Sequence, residues 1–212
     1  MPAWSYSRLS DFEACPYRFK LKYLEKKPEA PSPAAERGTS IHQQYEAFML
    51  KDKPCPSPFF EPMLQNIKEN FEWSVETEWA FDENWNQKNW FDSTVWVRIK
   101  PDLQHYTNGT LHIIDYKTGK PEKISHTSQG QLYAVGGACI NPIFSRIKVS
   151  FWYHDHDQVY DFTLNKDQIA LLKTQWTERA KKINTTKFPP KPNKWKCKYC
   201  GMRQHCDYNT VD

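Results

Sequence analysis

Residues 98–103 read RIKPDL and residues 110–120 read TLHIIDYKTGK, with Asn108-Gly109 just ahead of the second stretch. An Asn-Gly pair between runs rich in β-branched and aromatic residues predicts a hairpin or tight connection. Here it joins a strand ending at Asp102 to one beginning near Thr110. Side chains two apart on a strand share a face, so Asp115 and Lys117 project together. Adjacent pairing brings Asp102 beside them. Two carboxylates converging with a lysine can hold a divalent cation and a water that attacks phosphorus, with the lysine orienting the water or offsetting charge. Asp-x-Lys alone is a common surface pair on strands. The apolar run LHII ahead of Asp115 marks this one as the end of a buried strand, where a site can open.

Outward from this pair, hydrophobic periodicity gives the remaining elements. Residues 5–27 predict a helix capped by Ser7 or Ser10 and interrupted at Cys15-Pro16. Residues 27–38 read as a Pro/Ala loop ending at Gly38. A second helix follows over 38–52, capped by Thr39 or Ser40, and a third over 63–73. Strands are expected at 75–81, 93–103, 110–117, 146–154 and 158–165, with helices at 126–140 and 166–183. Helices followed by strands, a helix, strands and a helix point to an α/β fold with a sheet core in a helical wrapper.

The chain has 212 residues, 39% hydrophobic and 15% aromatic, enough for one globular domain with a sizeable core. The expectation is a single domain over 1–212, with a core at 38–187. No apolar run is long enough for a membrane span, and the opening residues lack the features of a secretory signal. A soluble protein of the cytoplasm is therefore expected, in the host's cytoplasm if the chain is viral. Between Arg179 and Cys206 lie nine of the 29 Lys and Arg and none of the 25 Asp and Glu, so the rest of the chain is net −5. A basic end on an acidic body suits a polyanion, although lysine-rich runs are often only solvated. The stretch 79–90, WAFDENWNQKNW, sets three tryptophans among polar residues. These would stack on unpaired bases if exposed, or form a hydrophobic lid on the sheet, the commoner fate of tryptophan.

Six cysteines are present, and Cys197, Cys200 and Cys206 fall within ten residues in the pattern Cys-x2-Cys-x5-Cys. Three soft ligands need a fourth. His205 nearby would complete a zinc site, and Cys15 is the distant alternative. Cys55 and Cys139 fall outside the pattern and read as ordinary thiols.

The stretches around Asp102 and Asp115 resemble the signature of the PD-(D/E)XK nucleases in its RecB-like form. GTSIH (38–42) is similar to that family's early Gly-x-x-x-His motif, and QGQLY (129–133) to its Gln-x-x-x-Tyr motif, in the family's order. Lys100-Pro101-Asp102 departs from the Gly-x-x-Asp turn of many relatives without removing a ligand. SYSRL (5–9) and CPYRF (15–19), with the C-terminal cysteines, resemble the iron–sulfur branch typified by the CRISPR-associated Cas-four family and its viral relatives. The resemblance implies a restriction-endonuclease-like mixed sheet flanked by helices, with an iron–sulfur cluster joining segments 1–30 and 188–208. It implies Mg²⁺ or Mn²⁺ held by His42, Asp102, Asp115 and the Tyr116 carbonyl, with Lys117 assisting water and Gln129 and Tyr133 supporting the site or DNA. It assigns a 4Fe-4S cluster to Cys15, Cys197, Cys200 and Cys206. The expected activity is exonucleolytic cleavage of single-stranded DNA ends in DNA processing or recombination. Partners would be DNA, further copies of the chain, or a recombination or CRISPR complex. The alternatives are a nuclease active only within such a complex, a catalytically silent DNA-binding protein that keeps the cluster, and a zinc-ribbon interaction module.

Overall fold

The strand that carries Asp115 and Lys117 is β6 (Thr110–Lys117), and the architecture is built around it. The structure is a computed structural model describing residues 3–209. β6 pairs antiparallel with β5 (Leu103–Thr107) and parallel with β7 (Arg146–Tyr153). β1 (Trp73–Val75) and β8 (Gln158–Asn165) add antiparallel edges, giving a mixed five-stranded sheet of order β1-β5-β6-β7-β8. The β5–β6 hairpin turns on Asn108 (φ 46°) and Gly109 (φ 70°), the positive pair that an Asn-Gly turn accommodates at little cost. A smaller antiparallel sheet has the order β3-β2-β4, from β2 (Trp79–Phe81), β3 (Gln87–Lys88) and β4 (Val97–Ile99).

The period-2 alternation of β6 feeds two cores. Leu111 and Ile113 pack on one face beneath α5 (Lys123–Ile140) and α6 (Lys166–Lys181), in a cluster with Leu132, Val135 and Leu172. Ile114 and Tyr116 point the other way, toward Tyr45 and Phe48 of α3 (Pro33–Lys51) and Leu64 of α4 (Glu61–Asn70). Asp115 and Lys117 fall on the α5 side by the same alternation. Three glycines, Gly130, Gly136 and Gly137, let α5 approach its neighbours closely. A Cβ at Gly130 would stand 2.9 Å from Val149, and one at Gly137 2.6 Å from Leu111.

At the N-terminus, α1 (Tyr6–Ala14) ends at Cys15, whose extended backbone (φ −161°) also opens α2 (Pro16–Phe19). A π-helical turn over Lys20–Leu24 follows. The C-terminal segment, with α7 (Lys194–Lys198), docks on this region. Phe188 stacks on Phe19 at 6.3 Å, Ala30 N–H donates to the Gly201 carbonyl at 3.0 Å, and Lys191 Nζ donates to the Glu13 carbonyl at 3.0 Å. Among the described residues no helix is long and apolar enough to cross a membrane.

Several boundaries differ from the sequence reading. The predicted strand 93–103 is broken: β4 and β5 belong to different sheets, so Asp102 precedes its strand rather than ending one. Pro101, lacking an N–H for a ladder, sits at the crossing. The predicted strand 75–81 is also broken, at Glu76 (φ 51°), between β1 and β2. α3 starts at Pro33, with Ser32 accepting from Ala35 N–H, so neither Thr39 nor Ser40 caps it and Gly38 lies inside it. Ser-Pro at Ncap-N1 is itself a start signal, and Thr39 returns its hydroxyl to the Ala35 carbonyl. Ser5, not Ser7 or Ser10, caps α1. The third helix runs over Glu61–Asn70 instead of 63–73, and α5 begins at Lys123 instead of 126. In the stretch 79–90, Trp79 and Trp85 are core residues, as the lid reading expects, while Trp90 is half-buried.

Candidate metal centre and cysteine cavity

Where β5 has not yet begun, the edge of β6 lies open to side chains, and Asp102 occupies it. Its Oδ2 accepts from the Tyr116 N–H at 2.7 Å, a hydrogen bond that continues the ladder with a carboxylate. The N–H and carbonyl of one strand residue point to the same edge. The Tyr116 carbonyl therefore lies on the Asp102 side, as a ligand role requires. Asp102 Oδ1 stands 3.2 Å from His42 Nδ1, which α3 presents from above. Burial raises the pKa of Asp102, and the charge of Asp115 adds to the rise, while His42 opposes it. Burial alone would lower the pKa of His42, but Asp102 outweighs it and the net shift is upward.

A third donor arrives from a residue that sequence reasoning missed. Glu76 bonds through its N–H to the Asp102 carbonyl at 2.9 Å, and its Oε2 pairs with Lys100 at 2.7 Å. Ligand atoms of His42, Glu76 and Asp102 all lie within 4.8 Å of one another, a possible divalent-metal site. In VETEWAF the only sequence signal was two glutamates, Glu76 and Glu78, in an otherwise strand-like run, with nothing to single out the first. Its position depends on the left-handed break after β1.

Asp115 is buried, 1% exposed, and is held from α5. Its Oδ1 accepts from the Tyr133 hydroxyl at 2.7 Å and from Gln129 Nε2 at 3.1 Å. Its Oδ2 is the ion-pair partner of Lys117 Nζ at 2.6 Å. Gln129 Oε1 accepts from Lys117 Nζ at 3.0 Å, and Gln129 Nε2 also donates to the Tyr133 hydroxyl at 2.7 Å. One amide thus fixes an acid and a base together. Burial, reinforced by Asp115 and Asp102, pushes the pKa of Tyr133 well above 10, so its phenol remains a donor. The predicted residues thus form two neighbouring groups, His42 and Asp102 with the Tyr116 backbone, and Asp115 with Lys117, Gln129 and Tyr133. Asp115 bears on Asp102 through its charge and lies outside the set of ligand atoms within 4.8 Å of one another. The donor set is one imidazole with hard carboxylate and carbonyl oxygens. That chemistry fits Mg²⁺ or Mn²⁺.

Cys15, Cys197, Cys200 and Cys206 line one largely apolar cavity of about 440 Å³, with Leu21 and Met202. Lys191 N–H donates to Cys15 Sγ and Asn193 N–H to Cys197 Sγ, each at 3.4 Å. Burial raises the pKa of Cys206, and its three neighbouring cysteines add to the rise. Among the described residues no three of these sulfurs come within 4.8 Å of one another, so the positions show no cluster. Sulfurs bound 2.3 Å from one zinc stand within about 4 Å of each other. His205 is turned away, with Nε2 3.1 Å from the Pro28 carbonyl. Cys55 and Cys139 lie elsewhere, and burial raises the pKa of each.

The profile of the PD-(D/E)XK nuclease superfamily matches residues 3–101 and 59–207, overlapping spans that together take in nearly the whole chain. Among solved structures, that of SSO0001 is similar over 99% of this chain and 88% of its own, with 17% identity and a TM-score of 0.53. A "Putative exonuclease" from Eubacterium rectale is similar over 96% of this chain and 87% of its own, with 13% identity and a TM-score of 0.51. At these identities both likenesses speak to the fold. No curated protein sequence matches the chain.

Proposed function

This chain belongs to the PD-(D/E)XK nuclease superfamily, and from that premise we propose that it is a metal-dependent exonuclease acting on single-stranded DNA ends. The observation that carries this reading is the meeting of His42, Glu76 and Asp102 beside the Asp115–Lys117–Gln129–Tyr133 network. His42, Glu76, Asp102, Asp115 and the Tyr116 carbonyl would hold Mg²⁺ or Mn²⁺. When bound, the ion supplies positive charge that neutralises the scissile phosphate and acidifies water. Lys117 presents an ammonium on the same face as Asp115, placed to orient the attacking water and to offset charge as the P–O bond breaks. Gln129 and Tyr133 keep both groups in that geometry, since every displacement of Asp115 would break two hydrogen bonds. The exonuclease assignment is also consistent with the name of the Eubacterium rectale protein.

The finer placement is in the RecB-like, Cas-four-like branch, with a 4Fe-4S cluster on Cys15, Cys197, Cys200 and Cys206. Support comes from the order of the motifs and from a single cavity lined by all four thiols. The cluster would join the segments 1–30 and 188–208 around a nuclease core at 38–187, in one domain. Its default role is structural, as a clip across a long loop.

The test is degradation of single-stranded DNA labelled at either end, by protein purified without oxygen, in Mn²⁺, Mg²⁺ or EDTA. Metal-dependent shortening from one end, lost in Lys117→Ala, supports the reading and gives the polarity. DNA binding without cleavage in any metal would favour the catalytically silent binder. A colourless protein with stoichiometric zinc and no sulfide would remove the iron–sulfur assignment.

A further inference from the structure

A cleft of about 660 Å³ opens beside the metal centre, and Gln129 and Tyr133 form part of its floor. One wall is the N-terminal segment, held to the smaller sheet by a parallel bridge from Trp4 to Val97. The other wall carries Trp90, Arg98 and Lys100. The volume lies within the ~300–1,000 Å³ of clefts that enclose small ligands, enough for about one or two nucleotides.

The lining has the chemistry of a single strand. Arg98 donates through Nε to the Trp90 carbonyl at 3.0 Å and sets its guanidinium 5.3 Å from the Trp90 ring centroid. The cation backs the ring and fixes its plane, leaving further N–H donors for a phosphate. Arg8 on the opposite wall donates to the Ala3 carbonyl and packs 5.2 Å from the Tyr23 ring centroid, again with donors to give. Asp11, the acid in the lining, is engaged by Arg18 at 3.2 Å, by Lys22 at 3.5 Å and by the Tyr23 hydroxyl at 2.8 Å. Its charge is met from outside the cleft, so the balance facing a ligand is positive.

We propose that this cleft seats the single-stranded DNA end next to the metal centre, with Trp90 stacking on a base and Arg8 and Arg98 taking backbone phosphates. This inference rests on the nuclease reading for its substrate class and adds the path of the strand. Stacking on a tryptophan is sequence-tolerant and requires an unpaired base. The preference for single strands would then arise in the cleft, not at the metal.

The test is binding of a fluorescein-labelled oligothymidylate in EDTA by the full chain, read by anisotropy, with an abasic oligomer of equal length alongside. Trp90→Ala is expected to weaken oligothymidylate binding about tenfold. Trp90→Phe should restore most of it, and the abasic oligomer should bind wild type and Trp90→Ala alike. Unchanged oligothymidylate binding in Trp90→Ala, or an equal loss with the abasic oligomer, would overturn the proposal. If Trp90→Ala does not fold, photocrosslinking of wild type to a bromodeoxyuridine oligomer decides. An adduct on the peptide containing Trp90 supports the cleft, and adducts confined to other peptides, such as that of Trp195, exclude it. Hydrolysis of bis(p-nitrophenyl) phosphate in Mn²⁺, a substrate too small to need the cleft, is measured on wild type. Its absence would count against the nuclease reading, while the EDTA binding data still decide the cleft.

Discussion

Asp102 carries two jobs that conflict in the metal-free protein. It completes the sheet by accepting from Tyr116 N–H, and it faces Asp115 in a buried site that disfavours its charge. Its pKa is raised on folding, so the native state binds this proton more tightly than the unfolded chain. Stability from this group is therefore present below about pH 4 and lost as pH rises through about 6. His42, also raised, contributes stability at low pH that is lost as pH climbs through its native value. Both signs agree. In EDTA, Asp102→Asn should gain on wild type between pH 5 and pH 8, by roughly 2–4 °C in Tm. Added Mn²⁺ should reverse the order at pH 8, because only the wild type keeps the full ligand set. A wild type that stays ahead in EDTA at pH 8 would contradict the assigned burial cost. Gln129 gives a second prediction at this scale. It touches Asp115 and Lys117, so Gln129→Ala should lower kcat by about 10–100-fold with much less effect on KM. Steady-state rates on single-stranded DNA would read that split.

At the scale of elements, the site depends on how closely α5 lies on the sheet. Gly130 adjoins Gln129, and a Cβ there meets Phe162 at 2.8 Å and Val149 at 2.9 Å. Gly130→Val should cost about 1–3 kcal/mol in urea denaturation, because the packed face has no room for a branched side chain. A neutral result would mean that α5 can lift without penalty. The pairing of β5 with β6 and the facing of Asp115 and Lys117 were legible in the sequence, since Asn-Gly chemistry and period-2 alternation are local. Gln129 and Tyr133 were singled out by the resemblance to the Gln-x-x-x-Tyr motif, since a glutamine and a tyrosine one helical turn apart carry no local signal of their own. What was not legible depended on tertiary context. Residues 93–103 have strand composition throughout, and only the existence of a second sheet splits them between β4 and β5. Glu76 was missed because its approach to Asp102 needs a left-handed backbone between two strands, a conformation that a glutamate does not advertise. The early start of α3 was legible in Ser32-Pro33 but masked by the proline-rich context.

Across the whole molecule, the basic C-terminal segment is fastened to the N-terminal helices through the acidic side chain and backbone of Glu13. Arg179 binds Glu13 through two nitrogens, at 3.0 and 2.8 Å, and Lys191 Nζ donates to the Glu13 carbonyl at 3.0 Å. A cluster across Cys15 and Cys197 would close nearly the entire chain into one loop. Cys15→Ser should therefore lose iron and sulfide together. It should also lower stability by about 3–5 kcal/mol, the scale of a cross-link closing a long loop. Retention of both elements at wild-type stability would mean that the cysteine cavity holds no such clip. The central claim concerns the other end of the fold, where Asp115 and Lys117 leave the sheet. Its most direct test is the rate of Mn²⁺-dependent degradation of single-stranded DNA by wild type and by Asp115→Ala, purified identically. The account predicts at least about a hundredfold loss in the variant, from removal of a ligand and of the partner of Lys117. Equal rates in the two proteins would place the chemistry elsewhere and contradict the site described here.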